Sequence, residues 1–239
     1  MTRNSDDSAS RVFYRFHHYK IDIVLIAVLF VVLGLLFVGV IGGALRAIGF
    51  SWYVSMIILL GSLLGSWLNI PVARIYTRKD VSTSHTVEFF GISFRVPEVT
   101  QVRSPTTVAI NVGGAVIPIA ISAYLFIMSP AIIPPGLLSI AIVAIVMYSV
   151  ARPIKGVGIA APALVAPLVA ALCALILSPF YSSYPSYVAY VSGVLGTLIG
   201  ADLAHLKDVF KSAPRIAAIG GAGTFDGIFL SGIIAAILA

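Results

Sequence analysis

The sequence predicts an all-α polytopic membrane protein of about seven transmembrane helices, N-terminus in and C-terminus out, with a small cytoplasmic β-hairpin between helices 2 and 3. Three observations predict it. The chain is 59% hydrophobic and 10% charged, with a mean hydropathy of +1.06, far outside the soluble range. Apolar runs of near-spanning length recur along it, over Ile21–Leu45, Trp52–Ile70, Thr106–Met128, Pro135–Val150, Gly156–Leu177, Tyr187–His205 and Arg215–Leu238. The basic residues fall almost entirely on alternate connections.

That last observation sets the orientation. Arg3, Arg11, Arg15 and Lys20 precede the first span, and Arg74, Arg78, Lys79, Arg95 and Arg103 lie between the second and third. Arg152 and Lys155 follow the fourth, and Lys207, Lys211 and Arg215 join the last two; of the 15 basic residues only Arg46 is left outside. The outer connections 129–134 and 178–186 carry no charge, and the second is rich in tyrosine, as a membrane-interface belt requires. The net charge of +6 is therefore topological and calls for no nucleic-acid partner. Membrane lipids are the expected surroundings, in the cell membrane with a cytoplasmic N-terminus.

Residues 1–20 read as a disordered, then interfacial, cytoplasmic tail, with His17 and His18 at the headgroup surface. Residues 21–239 form a single transmembrane domain. The first two spans carry Gly34, Gly39, Gly42, Gly43, Gly61 and Gly65, which permit close helix approach. The cytoplasmic loop 71–105 contains a period-two stretch, Val87–Val96, that alternates Phe90, Ile92, Phe94 and Val96 with small or charged residues. It predicts an amphipathic hairpin that packs on the bundle or headgroups, or offers an edge to an extended peptide.

The third span opens on Asn111-Val-Gly113-Gly114, the composition of a broken helix. Asn111 satisfies that freed backbone or lines a cavity. The fifth opens on Gly156-Val-Gly158 and carries Pro162 and Pro167, which weaken the helix ladder where the span begins. Cys173 lies in an apolar span, which leaves neither a disulfide framework nor a cysteine metal site, and no cofactor is implied.

Two acids stand inside apolar segments, Asp202 in the sixth span and Asp226 in the seventh. An intramembrane acid costs roughly 2.5–3.5 kcal/mol on insertion scales, so each calls for a partner and a function. Asp202 lies about one turn inside its span, and Asp226 would lie roughly 15 Å deep in an ideal helix, less if Gly220–Gly223 loosen it. Neighbouring carboxylates cannot both ionise easily and share a proton, one acting as base and the other as acid. Asp202-x-x-His205 has ligand spacing, but no third ligand accompanies it and no metal is assigned.

The segments Leu198–Leu203 and Ile219–Leu230, with Asn111–Gly114, resemble an uncharacterised family of prokaryotic and archaeal polytopic membrane proteins, a domain of unknown function. A second resemblance is to the intramembrane aspartyl proteases of the presenilin and signal peptide peptidase type. Those enzymes place one aspartate on a span running towards the cytoplasm, the next on the following outward span after Gly-x-Gly, and a Pro-Ala-Leu motif beside them. Here Asp202 and Asp226 match that orientation, Gly221-Ala-Gly223 precedes the second acid, and Pro162-Ala163-Leu164 is present. Thr224 and Phe225 intervene before Asp226, no tyrosine precedes Asp202, and Pro162–Leu164 comes before both acids.

The resemblance implies Asp202 and Asp226 as catalytic residues acting on a transmembrane peptide. Asn111, Gly113, Gly114, Pro162, Ala163, Leu164, Gly200, Gly221, Gly223 and Thr224 would then be the substrate-binding set. A proton- or cation-coupled transporter or channel using the same acids and a non-catalytic membrane scaffold remain open beside it. No feature sets an oligomeric state.

Overall fold

The computed structural model describes residues 19–89, 92–154, 158–211, 214–221 and 227–239. Residues 1–18 of the expected tail lie outside the described residues, as do Lys155, Gly156, Gly223, Thr224 and Asp226. The chain divides into two compact units, residues 1–39 and 40–239. In the first, α1 (Tyr19–Ala47) begins, and its apolar side chains from Ile23 to Leu36 are exposed, as suits a helix that is apolar on every side and solvated by lipid. In the second, its last turns bury Ile41, Ala44 and Leu45.

The protein is mostly helical. Among the described residues three helical stretches are long and apolar enough to cross a membrane, Ile23–Ala47, Pro130–Val150 and Pro185–Phe210, and four shorter apolar ones are Trp52–Gly65, Val112–Met128, Val165–Tyr181 and Gly227–Leu238. α2 (Trp52–Gly65) starts at Ser51, whose hydroxyl accepts from the Val54 N–H at 3.5 Å, and buries Ser55, Leu59, Ser62 and Gly65 along one face.

The hairpin between α2 and α3 is present, and it is far longer than the Val87–Val96 pattern predicts. β1 (Asn69–Phe89) pairs antiparallel with β2 (Ile92–Asn111), from Asn69 opposite Asn111 to Phe89 opposite Ile92, with a bulge between Pro71 and Ala73. Val, Ile and Thr recur along both arms, and Pro71 falls at the bulge, where a missing N–H is tolerated. β5 (Ile216–Ile219) joins parallel to Thr107–Ile110, so the sheet order is β1-β2-β5.

This sheet corrects the expected starts of the third and seventh spans. Thr106–Asn111 is strand, not helix, because the β1 register continues to Asn69; the chain then passes through a π-helical turn, Val112–Val116, into α3 (Ile117–Met128). Ile216–Ile219 is strand because it pairs with β2, so α8 (Gly227–Leu238) starts well after Arg215. The expected fifth span also starts later. Arg152–Ile154 (β3) pairs with Gly158–Ala160 (β4) in a short hairpin, and α5 (Val165–Leu177) follows Pro162.

The remaining helices are α4 (Ile133–Val150), α6 (Pro185–Thr197), which runs through a π-helical segment Leu198–Leu203, and α7 (Leu206–Lys211). α6 is the centre of the bundle and packs on α4, α5 and α8, with Val188–Val194 buried. Gly200 lies so close to α4 that a Cβ there would collide with the Ala144 carbonyl. On the side of α8, Thr197 and Ser231 hydroxyls meet at 3.2 Å, and both donate to the Gly193 carbonyl.

Tyr190 is fully buried in α6, and its hydroxyl has no hydrogen-bond partner among the described residues. Tyr190→Phe removes an unsatisfied buried group without opening a large cavity. Thermal unfolding in detergent is expected to show it neutral or stabilised by up to about 2 kcal/mol, and a marked loss of stability would reveal a partner.

Candidate functional site

Asp202 sits in the π-helical end of α6, a local widening of the helix of the kind that often marks functional positions. Its Oδ2 accepts a hydrogen bond from the Gly220 N–H at 2.8 Å. Gly220 and Gly221 follow β5 with φ of +82° and +84°, a left-handed conformation that side chains rarely adopt. The turn also needs glycine for space, since a Cβ on Gly220 would lie 2.9 Å from the Ala115 N and 3.0 Å from the Gly114 carbonyl carbon. Thus Asp202, the Gly220–Gly221 turn and the Gly113–Gly114 π-turn converge in one place.

Asn111 organises the third of these. It is 1% exposed and caps the π-turn. Its Oδ1 accepts from the Gly114 N–H at 2.8 Å, while Nδ2 donates to the Ser66 carbonyl at 2.6 Å and to the Asn69 Oδ1 at 3.1 Å. Gly113 presses on the α2 backbone, and the Ser62 hydroxyl donates to its carbonyl at 2.8 Å. Asn111 therefore satisfies the broken backbone and ties β2 to α2. Asn111→Ala leaves the Gly114 N–H buried and the Ser66 carbonyl short of a donor. A loss of about 1–3 kcal/mol is expected in thermal or denaturant unfolding, and an unchanged stability would contradict the bonding.

The other candidates divide. Gly200 is a packing residue against α4, and Gly221 belongs to the turn beside Asp202. Pro162, Ala163 and Leu164 are exposed in the connection from β4 to α5, and no hydrogen bond among the described residues ties them to Asp202. Gly223, Thr224 and Asp226 lie outside the described residues, between Gly221 and the start of α8.

Sequence reasoning gave too little weight to His205 and Gly220. His205 is buried, its Nδ1 is 3.0 Å from the Ala201 carbonyl, and its ring faces Tyr148 of α4 at 5.1 Å. The spacing of His205 from Asp202 was a visible signal; the contact of Gly220 with Asp202, across 18 residues, was not. Among the described residues no group of three or more His, Cys, Asp or Glu could hold a metal ion.

The family described as protein of unknown function (DUF1614) matches residues 63–238. The chain belongs to the DUF1614 family. The match runs from the end of α2 to the end of α8, so the DUF1614 region contains Asn111, Asp202, Asp226 and the whole sheet, while α1 precedes it. No curated protein and no solved structure matches the chain.

Proposed function

We propose that this DUF1614 protein is an intramembrane aspartyl protease, with Asp202 and Asp226 as its dyad. The observation that carries this reading is the position of Asp202: its carboxylate is bonded to Gly220, at the head of the short connection that holds Asp226. Helix packing gives further support. Thr197 of α6 meets Ser231 of α8, and each acid stands five residues from that contact, Asp202 after Thr197 and Asp226 before Ser231.

β5 adds a route for the substrate. Among the described residues β5 pairs with β2 on one edge, and this reading places an extended substrate peptide along the strand, which leads to Gly220 beside Asp202. Backbone pairing there would hold an unwound segment with a carbonyl at the acids. The ionised carboxylate takes a proton from water, whose oxygen attacks the carbonyl carbon. The protonated carboxyl donates to the carbonyl oxygen, and collapse of the adduct breaks the C–N bond as the leaving nitrogen takes up a proton.

The chain lies in the cell membrane with seven crossings, N-terminus in and C-terminus out. The charge pattern supports this orientation, and the seven apolar helices, three of spanning length, support the count. Transmembrane peptides are the proposed substrates and lipids the surroundings.

A proton- or cation-coupled carrier is the second reading, favoured by two π-helical interruptions, one holding Asp202 and the other packed on the Gly220 turn that bonds it. Reconstitution in vesicles with a single-span peptide tests both. Fragments detected by mass spectrometry, lost in Asp202→Asn and Asp226→Asn, support the protease. No cleavage, with uptake reported by a trapped pH dye, supports the carrier instead.

A further inference from the structure

Basic residues from separate elements meet where the sheet joins the helices. The register of β1 and β2 sets Arg78 opposite Arg103 and Arg74 opposite Thr107. Strand positions an even number of residues apart share a face, so the three arginines fall on one face of the ribbon. Arg215, just before β5, has a carbonyl that accepts from the Thr107 N–H at 3.0 Å, which sets it beside the Arg74–Thr107 position. α7 packs on both β1 and β3, and so brings Lys207 and Arg152 to the same region. Arg74, Arg152, Lys207 and Arg215 are exposed. Asp80, Asp202 and Asp208 stand against these six bases, which leaves the region net positive.

Like charges at directly opposite positions disfavour strand pairing, yet the register holds Arg78 and Arg103 together; an anion shared between them turns that repulsion into attraction. The place of the patch selects the anion. Arg152 comes two residues after α4 ends at Val150, β1 begins four residues after α2 ends at Gly65, and α7 follows the π-helical end of α6. Each base thus belongs to a segment that leaves an apolar helix, at the level where a bilayer carries its phosphates. We propose that Arg74, Arg78, Arg103, Arg152, Lys207 and Arg215 form a binding patch for the phosphate headgroup of an anionic membrane phospholipid. Guanidinium groups match phosphate oxygens in pairs, and Lys207 adds a point charge. Clusters of four to eight such residues beside a membrane helix are sufficient for this recognition. Because β5 runs from Arg215 to the Gly220 turn, a bound headgroup also steadies the strand that leads to Asp202. The inference is independent of any proteolysis by that carboxylate.

The test is native mass spectrometry of the full chain in detergent, titrated with dioctanoyl phosphatidylglycerol, dioctanoyl phosphatidylcholine or inorganic phosphate. The expected result is saturable binding of phosphatidylglycerol, tighter than either alternative by about 10-fold or more, that weakens about 5-fold in Arg74→Gln and in Arg215→Gln. Arg46→Gln is the control: it removes one exposed positive charge before α2, at the end of that helix away from β1, and should bind as the wild type does. Equal binding of the two lipids overturns the patch, as does equal weakening in Arg46→Gln or none in Arg74→Gln and Arg215→Gln. Inorganic phosphate that binds as tightly as phosphatidylglycerol assigns the patch to a soluble anion and overturns the lipid. Unfolding curves accompany each variant, and Lys207→Gln on α7 serves where a strand variant does not fold.

Discussion

Asp226→Asn is expected to reduce peptide cleavage by about 10²-fold or more while leaving thermal unfolding close to that of the wild type. An amide can neither take the proton of the attacking water nor return one, so the chemistry stops although the shape is kept. Asp202→Asn has the same expected effect, and its oxygen keeps the acceptor position that meets the Gly220 N–H. Because the two acids act as one unit, the double variant should be little worse than either single one. Fragment yield from a reconstituted single-span peptide, measured beside the unfolding curve, checks this. Cleavage at the wild-type rate in Asp226→Asn would end the dyad reading.

Gly220→Ala is expected to be strongly destabilising, through both backbone strain and crowding. The position has a φ of +82°, and a non-glycine residue in that region costs about 1–2 kcal/mol. The added methyl would also meet the Ala115 N at 2.9 Å and the Gly114 carbonyl carbon at 3.0 Å, and such overpacking adds about 1–3 kcal/mol. The sum, about 2–5 kcal/mol, corresponds to a fall of about 5–15 °C in Tm for a chain of this size. Activity should fall as well, because the Gly220 N–H is the donor to Asp202. Gly227→Ala is the control: nothing lies within 4 Å of a Cβ there, and little change is expected. Equal behaviour of the two variants would argue against the turn geometry.

Much of the architecture was legible because it follows from hydropathy and backbone chemistry. The apolar runs became helices, the period-two stretch became part of a hairpin, and Asn111-Val-Gly-Gly became an irregular turn capped by its asparagine. What was misread were span limits: the second span was read to Ile70, but α2 ends at Gly65 and Asn69 begins β1, and the third and seventh spans start later than expected. Thr106–Asn111 and Ile216–Ile219 adjoin apolar runs and extend a helix on paper, but each finds a strand partner distant in sequence, and that pairing makes them strands. The depth assigned to Asp226 from an ideal helix beginning at Arg215 therefore does not hold, since Ile216–Ile219 is extended.

The candidate site shows the same division. Asp202 was conspicuous from sequence because a carboxylate among apolar residues is energetically exceptional. Its partner was not, because Gly220 contributes only a backbone N–H, which every residue but proline possesses, and only the fold aims that one at the carboxylate. The sequence alone determined that this is an apolar, mostly helical chain with helices of membrane-spanning character, unevenly spaced charge and two acids within apolar runs, for these depend on transfer energies that each residue carries wherever it is placed. The tertiary structure decided that two helix starts become strands of one sheet, that the sheet delivers the Gly220 turn to Asp202, and that Asn111 serves the backbone. Those outcomes depend on pairing between segments up to about a hundred residues apart, which no local pattern encodes.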